Sequence, residues 1–372
     1  MTSPDTTTVA ERGHAEGVHR IRDLHPGWFA SVMGTGILAV ATHNNPGGLT
    51  ATEPAAHAVA AALTAVAYTL AAVLLVAYAA RWVGHTHIAM TEFRHPVKGA
   101  MHATLPGGLL VLAVTTAVVG PGLLGDGVTT ALVAVLGIVG GVLALVMGVA
   151  FGMSLFTGEP RAPMINGGWF IPPVVTIIIP MTLTPLVPLV SDADAGLLLA
   201  AGYAFYGMGF MLYLLTVGLV YDRLILHPLP PAPLAPSLWI GLGPIAVGAL
   251  APLALARAGA PLWGDGAAAV EVVTRLASTA LWGFGLWWLA VAVALLLRYR
   301  RAGVMTFNLG WWAFVFPLGA YTAATLTIAR AWQSPAIEVL GVLLWVALVA
   351  AWGIVVGRTV VAIRSGQIWQ AG

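Results

Sequence analysis

Long apolar runs alternate along the chain with short polar or turn-rich breaks. By length and hydropathy the runs predict ten helical spans, at 26–44, 56–80, 100–119, 128–152, 168–188, 195–222, 237–256, 268–297, 306–328 and 336–361. A membrane-crossing helix takes roughly 20 residues. The spans are of two kinds. Odd ones are interrupted by small or cyclic residues: Gly34-Thr35-Gly36, then Pro106-Gly107-Gly108, then Pro172-Pro173 with Pro180 and Pro185, then Gly241, Gly243 and Pro244, and finally Pro317 and Gly319. Even spans are mostly longer and richer in Ala, Leu and Val. The pattern predicts an all-α fold of five helical hairpins, with interrupted helices inside and uninterrupted ones in an outer ring toward lipid. The plainer reading is that Gly and Pro serve close packing in membrane helices. A break in mid-membrane frees backbone groups that must be re-satisfied by neighbours or face a water-filled cavity. The ninth span, with Pro317 and Gly319, is therefore expected to line a pore, and Phe316 beside the break is singled out.

Composition agrees. Of 372 residues, 59% are hydrophobic and 8% charged, with a mean hydropathy of +0.91. In a soluble domain about 25% would be charged, so this is a polytopic membrane protein. The absence of cysteine excludes disulfides and thiolate-ligated metals or clusters. Residues 1–24 are polar, without the apolar core of a cleavable signal peptide. They predict a flexible tail, ahead of a single domain over 25–364 and a short tail over 365–372.

Charge sets the topology. Arg12, Arg20 and Arg22 precede the first span, Arg81, Arg94 and Lys98 lie between the second and third, and Arg161 lies between the fourth and fifth. Arg223 follows the sixth, Arg298, Arg300 and Arg301 follow the eighth, and Arg358 and Arg364 close the chain. The opposite loops carry Arg257 and Arg330 with several acids. By the positive-inside rule both termini are cytoplasmic, in a multi-pass protein of the cell membrane. The net charge of +2 follows from this topology, and nucleic acid is not an expected partner.

Charged groups within a membrane are costly and usually functional, so their scarcity in the spans is informative. Glu271 is read as the acid within a span, four residues before Arg275, a spacing that pairs charges on one helix face; a coupling site is the other reading. With so few buried carboxylates, a cation site or acidic proton relay is not indicated. The lumen is expected to carry no fixed positive charge and to tolerate anions through helix N-termini and loosened N–H groups. Thr35, Thr104, Asn308, Thr322 and Thr325 are candidate neutral donors. His102 is a candidate titrating group on an inner helix, or an interfacial or packed histidine. His85, His87 and His95 sit in a basic loop with Glu92, read as solvated rather than metal-binding. Trp282, Trp287 and Trp288 are read as facing lipid or another subunit. No cofactor or metal is expected.

Five motifs, in order at the odd spans, carry a resemblance. They are His25-Pro26-Gly27-Trp28-Phe29-Ala30-Ser31-Val32-Met33-Gly34-Thr35-Gly36, His95-Pro96 leading into Leu105-Pro106-Gly107, Gly168-Trp169-Phe170-Ile171-Pro172-Pro173, Leu242-Gly243-Pro244, and Asn308 to Pro317. On these residues the chain resembles the tellurite-resistance/dicarboxylate transporter family, which shares its fold with the bacterial tellurite-resistance protein and the plant guard-cell slow anion channels. The resemblance implies ten helices in a quasi-five-fold ring around a central pore, one pore per subunit, commonly in a homotrimer. It implies a pore plugged by a ninth-helix phenylalanine, here Phe316, with a small first-helix residue facing it, here Ala30. Ala30, Gly34, Thr35, Gly36, Thr104, Pro106, Gly107, Pro172, Pro173, Gly243, Pro244, Asn308 and Pro317 are the expected pore-lining set. Implied substrates are small inorganic or organic anions, with malate and sulfite favoured. Proton-coupled symport through His102 or Glu271 and sulfite efflux are the alternatives, and a membrane-embedded lipid enzyme is the remote one.

Overall fold

The computed structural model describes residues 20–369; most of the expected N-terminal tail, and residues 370–372 of the C-terminal one, lie outside the described residues. The inner helices are α1 (Ala30–His43), α3 (Thr104–Val119), α5 (Ile171–Leu183), α7 (Leu242–Gly259) and α9 (Val315–Trp332). The outer ones are α2 (Glu53–Gly84), α4 (Asp126–Thr157), α6 (Asp192–Leu226), α8 (Ala267–Arg301) and α10 (Pro335–Arg364). Each odd helix packs against the even helix that follows it. Contacts also run from α1 to α3, α3 to α5, α5 to α7, α7 to α9 and from α9 back to α1.

Burial separates the two sets. In the apolar stretches containing α3, α5, α7 and α9, 72–89% of positions are buried, against 17–28% in the outer helices. Ser31 to Thr42 of α1 are all buried. The division read from Gly and Pro is therefore one of inside and outside. Nine helical stretches among the described residues are long and apolar enough to cross a membrane. The first expected span is not one of them, and its α-helical part, α1, has 14 residues.

Outer helices outrun their apolar runs, α2 to Gly84 and α8 to Arg301. The extra turns carry Arg81 and Arg298, Arg300 and Arg301, and cations suit a helix C-terminus. Two acids besides Glu271 fall within the expected spans: Asp222 near the end of α6, and Glu338 in the first turn of α10, where it accepts the Gly47 N–H at 2.9 Å.

The expected mid-span break at Pro317 takes a different form. The α-helix begins at Val315 and runs unbroken through Gly319, and the residues before it, Leu309–Phe314, form a 3-10 helix. Pro317 is thus third in its helix, as are Pro106 and Pro244, while Pro172 and Pro173 are second and third in theirs. Proline suits a first turn, where its missing N–H would have no intrahelical acceptor. The inner helices are late-starting rather than broken.

Lipid is as apolar as leucine, so packing rather than hydrophobicity joins membrane helices, and small residues let backbones approach. A Cβ at Gly34 would stand 2.9 Å from Val315 of α9, one at Gly36 3.0 Å from Thr115 of α3, and one at Gly107 2.9 Å from Met33 of α1. At Gly319 it would stand 2.5 Å from Ile37. These glycines serve the helix contacts of the plainer reading.

The tryptophans also differ from expectation. Trp282 and Trp288 are buried and reach inward, donating to Thr325 Oγ1 (3.0 Å) and to the Leu238 carbonyl (2.9 Å), whereas Trp287 is exposed. At the chain ends, Arg81 donates to the Arg22 carbonyl at 2.9 Å and Leu24 is buried. Trp369 stacks on Trp28 with ring centroids 6.0 Å apart. Leu24, Ile368 and Trp369 therefore pack against the helices.

Gly319→Val should destabilise the protein by about 1–3 kcal/mol, the usual cost of overpacking. Gly353→Val, where a Cβ meets nothing within 4 Å, should leave it unchanged. Thermal unfolding in detergent compares the two.

Candidate functional site

The starts of the inner helices share a local design. The His25 side chain accepts the Gly27 N–H at 3.0 Å, Asn166 that of Gly168 at 2.8 Å and Asn308 that of Gly310 at 2.8 Å. These are three copies of one pattern, His or Asn, any residue, Gly, Trp, aromatic: His25-Pro26-Gly27-Trp28-Phe29, Asn166-Gly167-Gly168-Trp169-Phe170 and Asn308-Leu309-Gly310-Trp311-Trp312. Ahead of α3, His95 accepts from the Val97 and Lys98 N–H groups at 3.1 and 3.3 Å, so His95, exposed in its loop as expected, also caps the chain there. Such caps satisfy N–H groups left without partners at a helix start.

These starts enclose a cavity of about 460 Å³, within the range of about 300–1,000 Å³ for small-molecule sites. It lies at the end of the bundle that carries most of the arginines, the basic end. Its mouth is formed by Asp23, His25, Lys98, Asn308 and Gln367, and its inner wall by Ala30, Met33, Thr104, Ile171, Val174, Ile240, Phe316 and Pro317. Phe316, 5% exposed, is part of that wall, with Pro317 beside it. A Cβ on Gly243 would lie 3.5 Å from the Phe316 ring and 3.4 Å from Val174, so the small residue packed at this ring is on α7. Ala30, the expected facing residue, lies on the same cavity wall.

Of the expected lining set, Ala30, Thr104, Asn308, Phe316 and Pro317 line the cavity, while Gly34, Thr35, Gly36, Pro106, Gly107, Pro172, Pro173, Gly243 and Pro244 do not. The glycines are taken up by packing and the prolines by helix starts. Thr35 Oγ1 faces outward and accepts the Trp352 N–H at 3.1 Å. Thr325 is engaged by Trp282, and the Thr322 hydroxyl donates to the Leu318 carbonyl at 2.8 Å.

On the wall itself the hydroxyl donors are committed, and one of the two Asn308 amide hydrogens is too. The Thr104 hydroxyl donates to carbonyls, 2.7 Å from that of Met101 and 2.9 Å from that of Pro26. Ser237 donates to the Leu234 carbonyl (2.7 Å), and the Asn308 amide to that of Pro233 (3.2 Å). The expectation of a lumen without fixed positive charge fails at the mouth, because Lys98 lines the cavity. Its ammonium lies 3.3 Å from Glu92, whose other oxygen takes Arg81 at 2.5 Å. Lys98 escapes sequence reading because it counts there as one more topology charge. The caps were legible as the threefold pattern just described.

The proposed coupling groups lie off the wall. His102 is fully buried among Phe93, Tyr78 and Trp82, its Nδ1 3.2 Å from the Lys98 carbonyl and its Nε2 without a partner. It is a packed histidine beside the cavity. Glu271 is exposed near the opposite end of α8, and no ion pair joins it to Arg275. That guanidinium donates to the Ala331 carbonyl at 3.3 Å and lies 5.2 Å over Trp332.

The sequence profile of the SLAC1 family, described as voltage-dependent anion channel, matches residues 23–360. The chain belongs to that family. Among related proteins, this SLAC1-family chain is 31% identical over 351 residues to an uncharacterized transporter of Methanocaldococcus jannaschii, covering 94% of this chain and 96% of the relative. It is 26% identical over 352 residues to the sulfite efflux pump of Trichophyton rubrum, covering 91% of each. Over 158 residues it is 28% identical to the malic acid transport protein of Schizosaccharomyces pombe, covering 41% of this chain and 36% of that protein. The SLAC1 family and these relatives are channels and transporters, and the chain is a multi-pass anion channel or transporter.

Two groups at the basic end, His25 and Glu92, are displaced in their protonation. Burial lowers His25 from 6.5 to about 4, which keeps Nδ1 free to accept from Gly27. Burial pushes the Glu92 carboxyl up, but the hydrogen bond and charge of Arg81, with Lys98, outweigh it and hold it below its usual value. For His25 the unfolded chain binds a proton below about pH 6.5 and the folded one only near 4, so stability should fall as pH drops through that window. The Glu92 contribution is present above its ordinary carboxylate range and is lost as pH falls through its lowered folded value. His25→Asn, the cap used at Asn166 and Asn308, should keep the fold and flatten the pH 6.5-to-4 decline, as read by unfolding midpoints across that range.

Proposed function

We propose that the protein passes small anions along the axis between its five inner helices, through a path that Phe316 closes. The carrying observation is the position of this ring, on the wall of a cavity built from the starts of all five inner elements. Helix N-termini bear partial positive charge, and their convergence at one cavity favours an anion. The acid on the wall, Asp23, is paired with Arg22 at 2.9 Å. In this reading α1 and its preceding turn make a tenth crossing, the ten helices form a quasi-five-fold ring, and the basic end with both termini is cytoplasmic in the cell membrane. Homotrimeric assembly belongs to it on the strength of the resemblance. Sulfite and malate are the first substrates to try, since relatives along the chain are a sulfite efflux pump and a malic acid transport protein. Passive permeation is favoured over proton coupling because His102 and Glu271 do not line the cavity.

Flux of malate, sulfite, nitrate and chloride into proteoliposomes, with and without a proton gradient, tests the reading. Phe316→Ala should raise flux of several anions at least several-fold, independently of the gradient. Gly243→Ala should lower it, since the added methyl would fill the space beside the ring at ordinary contact distance. Unchanged flux in correctly folded Phe316→Ala protein would remove the ring from this role.

A further inference from the structure

We propose that Lys98 captures anions at the basic end of the cavity before they reach Phe316, an assignment that rests on reading this cavity as an anion path. Lys98 is at the mouth and one-third exposed, with 32% of its side chain accessible. An ammonium has three donors, and Glu92 at 3.3 Å engages one. Neutralising Glu92 does not require Lys98. Arg81 does so at the shorter distance of 2.5 Å, its side chain 1% exposed and its Nε anchored on the Arg22 carbonyl at 2.9 Å. Two cations around one carboxylate leave a net positive charge, and Lys98 is the partner that lies on the cavity wall.

The surroundings leave the task to this side chain. The Thr104 and Ser237 hydroxyl hydrogens are spent on carbonyls, as is one of the two Asn308 amide hydrogens. These groups are neutral, so they do not draw an anion from a distance as a charge does. Glu92 acts as a positioning residue: it draws a flexible ammonium toward one place, while Arg81 ties that carboxylate to the segment before α1. A fixed cation at a low-dielectric mouth raises the local anion concentration, and more strongly for a divalent than a monovalent ion.

The experiment is one-sided flux of malate and chloride in oriented proteoliposomes of the full chain, comparing wild type, Lys98→Gln, Lys98→Arg and Glu92→Gln. Lys98→Gln should raise the half-saturating malate concentration at the basic face by roughly three- to tenfold. The effect on chloride should be smaller, with none at the opposite face and maximal flux kept. Lys98→Arg should stay within about twofold of wild type, and Glu92→Gln should shift half-saturation at the basic face alone. Lys98→Met, which keeps the aliphatic stem, serves should Lys98→Gln not assemble. Normal half-saturation in the charge-removing variants, or equal losses at both faces that Lys98→Arg does not rescue, would overturn the assignment while leaving the anion path intact. Absence of saturable anion flux in wild type would overturn the path itself, and the assignment with it.

Discussion

A backbone inside a membrane finds no water for its N–H and C=O groups, and the five inner helices meet that constraint by starting late. Each is led in by a 3-10 turn or short helical segment, and four carry proline in the first turn where a lost N–H does no harm. At three of the starts a His or Asn side chain takes up a glycine N–H. The cavity is the direct result, since the depth given up by the late starts is enclosed by residues that precede them. The outer helices, long and continuous, supply the wall that makes such short inner helices tolerable.

Much of this plan was legible in order and length. Hydropathy located the hairpins, and Pro and Gly separated inner from outer helices because both residues answer to backbone constraints that sequence expresses directly. Phe316 was found by its place beside Pro317, although the physical cause is a helix start rather than a break. The pore-lining set was less legible. Which face of a helix looks inward depends on its rotation against neighbours, and α1 and α3, buried nearly all round, show little apolar periodicity that could reveal it. The close helix contacts of Gly34, Gly36 and Gly107, and the hydrogen bond that Thr35 receives from Trp352, are likewise not legible in the sequence. Lys98 was hidden for the opposite reason. A loop lysine needs no special explanation until its neighbours are known.

The mouth joins distant parts of the chain. Arg81 from α2, Glu92 from the short helix Thr86–Phe93, Lys98 ahead of α3 and the Arg22 carbonyl ahead of α1 form one connected group. Buried ion pairs are weak evidence for stability, because desolvation offsets much of their attraction, but removing one partner is costly. The group thus fixes the relative placement of α1, α2 and α3 at the end where the cavity opens.

The unequal helix lengths have an electrical consequence. At 1.5 Å per residue, the 14 residues of α1 extend about 21 Å, while the 32 of α2 extend about 48 Å. In the proposed reading the cavity carries the potential of the basic side inward as far as Phe316, so the membrane voltage falls mainly over the inner helices beyond the ring. At about 2.3 kcal/mol per charge per 100 mV, an ion held at the mouth would have crossed little of the field, and its passage past the ring would cross most of it.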